Sequence, residues 1–82
     1  MITVKYFASI RESIGQGQES LSSSAATLGA LRDELIARGG AYAESLARGK
    51  AVRMALNQTM ADETAVLVDG AEVAFFPPVT GG

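Results

Sequence analysis

One helical segment, set between two groups of strand-like segments, constrains the fold of this chain more than any other feature. Residues 28–38 carry large aliphatic side chains along one stripe, between a candidate N-cap, Thr27, and a helix stop, Gly39-Gly40. A helix in this position can bury its apolar stripe only against one face of a sheet. The pattern therefore predicts a two-layer α+β domain with a mixed sheet covered on one face.

Alternation of apolar and polar residues predicts the strands of that sheet. In chain order, the predicted strands cover residues 2–8, 18–23, 52–57, 66–67 and 72–76. Pro77-Pro78 ends the last strand because proline cannot donate to the ladder. A second short helix is predicted over residues 42–46. Without this helix and the very short strand at residues 66–67, the predicted order of the main elements is ββαββ.

The composition excludes several classes of function. The 82 residues include no Cys and no His, so disulfides, a thiol nucleophile, and the commonest general base and metal ligand are missing. This argues against a self-contained hydrolase and against a metal site. A net charge of −2 with scattered Lys and Arg gives no basic stripe for nucleic acid. No signal peptide and no long apolar run is visible, so we predict a cytoplasmic protein that does not engage membranes.

The end of the chain is the candidate functional segment. We predict a domain over residues 1–76, followed by an extended tail over residues 77–82, Pro77-Pro78-Val79-Thr80-Gly81-Gly82. Two prolines favour an extended exit, and six residues span up to roughly 20 Å. Glycines at the tip let a narrow channel close around bare backbone and reach the terminal carboxylate. The alternative is a frayed terminus with two incidental glycines.

A terminal carboxylate needs help before it can react. With a pKa near 3.5 it is an anion at neutral pH and a poor electrophile, so its use requires activation, typically as an acyl-adenylate made from ATP. The activating enzyme must be another protein.

Strand alternation also predicts an exposed aromatic pair. Val73 and Phe75 share the helix side of the last strand, which leaves Phe76 on the uncovered face, and Phe7 falls on that face too. Met60, in the loop after the third strand, is expected nearby. Such an apolar patch is typical of a partner interface. The alternatives are the opposite parity, or a second helix that covers these residues as core.

Three segments are recognisable together: residues 7–12 (Phe-Ala-Ser-Ile-Arg-Glu), residues 56–59 (Leu-Asn-Gln-Thr) and the block from Asp69 to Gly82. They resemble the small subunits of molybdopterin synthase over nearly the whole chain. The terminal block is the specific part, because a bare Gly-Gly end is shared by all ubiquitin-like carriers. Residues 16–24 and 39–48 match only loosely.

This resemblance implies a ubiquitin-like β-grasp fold and a sulfur-carrier function. It implies that an E1-like enzyme adenylates Gly82 and that a sulfur donor protein converts it to a thiocarboxylate. The loaded tail would enter the large synthase subunit and give its sulfur to cyclic pyranopterin monophosphate, which forms the molybdopterin dithiolene. The chain itself would bind no cofactor, ATP being used by the activating enzyme.

The resemblance also assigns residues and partners. The complex would be a heterotetramer of two small and two large subunits, with the acid, base and phosphate-binding groups on the large subunit. The positions that match the family's hydrophobic interface are Phe7, Met60 and Phe76, with Met60 where a leucine is common. The segment inserted into partner active sites would comprise Pro77, Pro78, Val79, Thr80 and Gly81.

Other functions are compatible with the same residues. A thiamine-type sulfur carrier also ends in Gly-Gly, but it is typically shorter and lacks the Phe-Phe-Pro-Pro-Val-Thr block. A ubiquitin-like modifier would use the activated carboxylate to form isopeptide bonds with lysines. A plain interaction domain would have no tail chemistry.

Overall fold

The computed structural model describes residues 1–78, which form a five-stranded sheet and three helices. The elements, in chain order, are β1 (Ile2–Tyr6), α1 (Ala8–Ile14), β2 (Gln18–Leu21), α2 (Leu28–Ile36), α3 (Gly40–Leu46), β3 (Arg53–Leu56), β4 (Thr59–Ala61) and β5 (Glu72–Phe76). The strand order across the sheet is β2-β1-β5-β3-β4. β1 and β5 pair in parallel at the centre, and the flanking pairs are antiparallel. The two-layer α+β class with a mixed sheet is therefore confirmed.

The core lies between α2 and the two central strands. Alternate residues of β1 and β5 are fully buried, among them Tyr6 and Phe75, whose rings stack with centroids 6.4 Å apart. On α2, three leucines are completely inaccessible: Leu28, Leu31 and Leu35. The Thr27 hydroxyl accepts a hydrogen bond from the Ala30 N–H at 3.2 Å, which confirms the predicted N-cap.

The first strand is shorter than predicted, and the predicted order ββαββ is wrong. β1 ends at Tyr6, and residues 8–14 form α1 between the first two strands. Ala8, which the strand pattern places on the core side, is exposed and has a positive φ of 51°. The helix instead buries Ile10 and half-buries Ile14, one helical turn apart, and ends at Gly15 with φ 89°.

The fourth strand also lies elsewhere than predicted. β4 covers residues 59–61, whereas Val66 makes only an isolated bridge with Thr27. Asn57 and Gln58 both have positive φ, 49° and 69°, so they form the two-residue turn of a tight β3–β4 hairpin. The common Asn-Gly signal is absent here, which is why the sequence pattern does not reveal the turn.

Gly29 lies where α2 meets the loop after β4. Its N–H donates to the Glu63 carbonyl at 3.0 Å. A Cβ on Gly29 would lie 3.1 Å from Glu63 Cβ and 3.2 Å from the Glu63 carbonyl oxygen. Glycine is less favourable than alanine in a helix, so this glycine, in the first turn of α2, serves the close approach of the Glu63 backbone.

Replacement of Gly29 by Ala is therefore expected to destabilise the fold. The strain of overpacking against the Glu63 backbone should exceed the gain in helix propensity, for a net loss of about 1 kcal/mol in the free energy of unfolding. Gly49→Ala is the matched control, because nothing lies within 4 Å of a Cβ at Gly49. Urea unfolding measures both variants. A Gly29→Ala variant as stable as the Gly49→Ala control would contradict this account.

A polar cluster centred on Glu19 connects the edge of the sheet to the helical layer. The Glu19 carboxylate accepts hydrogen bonds from the hydroxyls of Tyr6 at 2.8 Å and Tyr42 at 2.7 Å. It also accepts from Gln16 at 3.0 Å and from the Arg38 guanidinium at 2.9 Å. The cluster therefore connects β1, β2, α3 and the residues that follow α2.

Burial and these hydrogen bonds act on the pKa of Glu19 in opposite directions. Burial by itself would raise the pKa, but the hydrogen bonds from Arg38, Tyr42 and Tyr6 outweigh it and hold the pKa of Glu19 below its usual value. Burial, and then the hydrogen bond to Glu19, raise the pKa of the Tyr6 hydroxyl, which stays protonated. The carboxylate form is thus the one that the fold stabilises.

This cluster makes stability depend on acid pH. Because the folded-state pKa of Glu19 is lowered, its contribution is complete above the unfolded pKa of about 4.3 and is lost as pH falls through the folded value. Glu19→Gln should lower the free energy of unfolding by about 1–3 kcal/mol at pH 7, and the gap from the wild type should narrow below pH 4. Urea unfolding from pH 7 down to pH 3 checks this. A gap that stays constant over this range would show that the Glu19 charge does not matter.

Candidate functional site

The face of the sheet opposite α2 is the first part of the candidate site. Along β1 and β5, the residues that alternate with the buried core remain partly accessible. α3 packs against α1 and α2, so it does not cover this face. Within residues 1–78, this face is therefore accessible to another molecule.

Phe7 and Phe76 meet on this face. Phe7 has an extended backbone, and its N–H donates to the Phe75 carbonyl at 3.1 Å, so it continues the β1 alternation by one residue. Its ring lies edge-on to Phe76, with centroids 6.3 Å apart and planes at 83°. Phe7 is 45% exposed, whereas Phe76 is half-buried. The structure thus brings together the two aromatic residues that the sequence singled out.

Met60 lies on the same face, within β4 rather than in a loop. It pairs with Ala55, which in turn pairs with Ala74 of β5. Ala55 is buried and Ala74 is half-buried between Met60, which is 51% exposed, and the aromatic pair. We call the set Phe7, Phe76, Met60, Ala55 and Ala74 the outer patch.

Charged groups border the outer patch. Lys5 forms an ion pair with Glu72 at 3.4 Å between neighbouring strands, and the exposed Arg53 pairs across the sheet with Phe76. An apolar centre with a charged rim is the usual anatomy of a protein interface. The arrangement is suited to binding another protein.

The tail begins at the edge of this patch. Pro77 and Pro78 directly follow Phe76; Pro77 is half-buried and Pro78 is exposed. The other predicted tail residues, Val79, Thr80, Gly81 and Gly82, lie outside the described residues. A protein that covers Phe76 therefore sits beside the point where the tail leaves the sheet.

A cleft on the helical side of the tail base was not predicted from the sequence. Its volume is about 210 Å³, and its polar lining residues come from α1, α3 and the α3–β3 connection: Ser9, Ser13, Ser45 and Lys50. Pro77 and Pro78 form part of its wall. Ser9 and Ser13 are four residues apart in the sequence. This spacing places both side chains on one face only if residues 8–14 are helical, which the sequence did not predict.

Two further properties concern the described residues 1–78. No group of three or more acidic, His or Cys side chains lies close enough there to hold a metal ion. None of the three helices is long and apolar enough to cross a membrane.

Solved structures share this architecture. The chain resembles the crystal structure of SAMP1 from Haloferax volcanii, with a TM-score of 0.74, 25% identity, and coverage of 99% of this chain and 98% of the other. It also resembles a chain in the complex of subunits 1 and 2 of the molybdopterin-converting factor from Helicobacter pylori. There the TM-score is 0.68, the identity is 27%, and the coverage is 99% and 97%. The ubiquitin-like β-grasp fold that the resemblance implied is confirmed.

Sequence comparison gives a more similar relative. The molybdopterin synthase sulfur carrier subunit of Escherichia coli strain K12 is 43% identical over 82 residues, which are the full length of both chains. A profile of the ThiS family matches residues 4–82. Nearly the whole chain is therefore covered, and the protein belongs to the ThiS family.

Proposed function

We propose that this chain is the sulfur-carrier small subunit of a molybdopterin synthase. The observation that carries the proposal is the position of the outer patch, directly beside the base of a tail that ends in Gly81-Gly82. A partner that binds Phe7 and Phe76 receives the tail at the same time. The name of the Escherichia coli relative and the two-subunit complex from Helicobacter pylori support this function.

The chemistry proceeds at the terminal carboxylate of Gly82. An E1-like enzyme joins this carboxylate to AMP from ATP and releases pyrophosphate, so the acyl carbon becomes electrophilic. A sulfur donor protein then delivers sulfide equivalents, AMP leaves, and a thiocarboxylate remains. The activating step consumes ATP, which is available in the cytoplasm. We therefore also propose that this protein is cytoplasmic.

The thiocarboxylate sulfur then acts as the nucleophile toward cyclic pyranopterin monophosphate in the large subunit. A new carbon–sulfur bond forms on the pterin side chain as the carbon–oxygen bond at the same carbon breaks and the oxygen leaves. Water then cleaves the acyl–sulfur bond, which leaves the sulfur on the pterin and regenerates the Gly82 carboxylate. Each product carries two sulfurs, so two loaded chains are consumed. This chain has no His and no Cys, so acid and base groups come from the large subunit.

The β-grasp domain serves as the docking unit in this mechanism. Burial of two phenylalanines and a methionine provides affinity without directional bonds. Docking fixes the start of the tail next to the partner's surface, and six residues reach up to roughly 20 Å from there. The tip is thereby held at high effective concentration in the partner's active site.

The first test is the intact mass of the protein isolated from cells. We expect a species about 16 Da heavier than the unmodified chain, because sulfur replaces one oxygen, and this species should vanish when Gly82 is deleted. Ser22→Asp, an exposed change at the end of β2, is the control and should retain it. Methionine oxidation also adds about 16 Da, so alkylation with iodoacetamide identifies the thiocarboxylate among the heavier species. A heavier species that is still alkylated after deletion of Gly82 would refute the assignment, and lysine-linked adducts would instead indicate a protein modifier.

The second test concerns the outer patch. Phe76→Asp should raise the Kd for the large subunit by at least about thirtyfold, the size of a loss at an interface hot spot. Val68→Asp is the matched control: Val68 is 62% exposed and precedes β5 at the end away from the tail. Calorimetric titration measures binding, and thermal unfolding checks that both variants fold.

Two outcomes would count against the proposal. If Phe76→Asp unfolds the chain, Phe76 belongs to the core rather than to an interface. If the wild-type chain loads sulfur but does not bind a large subunit, it is a thiamine-type carrier.

A further inference from the structure

The cleft at the tail base contains a buried hydroxyl without a partner. Ser45 is only 7% exposed, and its Oγ makes no hydrogen bond with any of the described residues. A serine inside a helix commonly bonds to the carbonyl four residues earlier, but this one does not. Ser45 lines the cleft, so a group that enters there can accept its hydrogen bond.

The other polar groups of the cleft favour an anion. Lys50 is exposed and forms no ion pair within residues 1–78, and Ser9 and Ser13 add two hydroxyls. Among residues 1–78, no acidic side chain lines the cleft. Ile10 and Val52 contribute apolar wall, which suits the methylene groups of an aliphatic acid.

A buried arginine holds this wall in place. Arg32 is 4% exposed, and its guanidinium donates to the carbonyls of Leu46 at 2.8 Å, Ala47 at 2.7 Å and Lys50 at 3.1 Å. The Val52 N–H donates to the same Lys50 carbonyl at 2.9 Å. The backbone that carries Lys50 is therefore ordered before anything binds, which lowers the entropy lost on binding.

The position of the cleft identifies its occupant. Pro77 and Pro78 form one wall, so a protein that encloses the tail must pass the opening of the cleft. The outer patch lies on the other side of the same tail base, beside Phe76. A partner that contacts both sides grips the tail at its root.

We propose that the cleft receives an acidic side chain of the large subunit, which pairs with Lys50 and accepts a hydrogen bond from Ser45. This inference rests on the proposed function. The apolar wall formed by Ile10 and Val52 favours glutamate over aspartate, because glutamate carries one more methylene group. The contact fixes the direction in which the tail leaves the domain, whereas the outer patch supplies most of the affinity.

Calorimetric titration of the large subunit from the same organism with three variants tests this contact. Lys50→Gln should raise Kd about tenfold, with a smaller effect at high salt, because a charge pair is lost. Ser45→Ala should raise it about threefold, as expected for one hydrogen bond. Ser22→Asp is the control, because it changes the net charge by the same amount as Lys50→Gln. Ser22 lies near the start of β1, at the end of the sheet away from the tail base, so this variant should leave Kd within about twofold of the wild type.

Two further variants identify the occupant. Binding of the large subunit, weakened by Lys50→Glu, should be restored when the acidic residue of the large subunit is changed to Lys. The restoring change identifies that acidic residue. In a chain that ends at Thr80, Lys50→Gln must still weaken binding. If Lys50→Gln no longer raises Kd once Gly81 and Gly82 are removed, the occupant of the cleft is the chain's own carboxylate and the inference fails.

The remaining outcomes are equally decisive. Kd values for Lys50→Gln and Ser45→Ala that match the wild type overturn the inference but leave the proposed function intact. A wild-type chain that does not bind the large subunit overturns both. If Ser45→Ala lowers the thermal stability of the domain, Lys50→Gln alone decides, since the exposed Lys50 side chain makes no ion pair in the described chain.

Discussion

The parallel pairing of β1 with β5 is the constraint on which the rest of the structure depends. It places the first and last strands side by side at the centre of the sheet, with Tyr6 beside Phe75 in the core. The same register brings Phe7 and Phe76 together on the opposite face. Because β5 is central, the tail leaves the middle of the sheet, where partner surfaces on both sides can reach it.

Polar groups rather than additional core hold the short helices in place. With 82 residues, the chain can build only one small core. Arg32 connects α2 to the carbonyls at the end of α3, and the Glu19 cluster connects α3 to the edge of the sheet. Both are almost fully paired, as buried charges must be to avoid a large desolvation penalty. Rigidity near the tail therefore comes from a few specific hydrogen bonds.

The sequence predicted those features that depend on a single repeating pattern. The main helix, its Thr27 cap, the central strands and the outward position of Phe76 follow from periods of 3.6 and 2. α1 escaped prediction because Phe7 continues the strand alternation before the backbone reverses at Ala8, whose positive φ no pattern indicates. β4 was misplaced because its turn uses Asn57-Gln58 without a glycine. The cleft could not be predicted, since it requires α1, α3 and the tail base to meet in space.

The central position of the last strand also affects how the protein is made. A nascent chain that lacks residues 72–76 has no strand to place between β1 and β3, so its two strand pairs cannot join into one sheet. Pairing between strands that are far apart in the sequence is also intrinsically slow. Almost the entire polypeptide must therefore emerge from the ribosome before the domain can fold. The aromatic pair of Phe7 and Phe76 can consequently form only after the strand that leads into the tail has been synthesised.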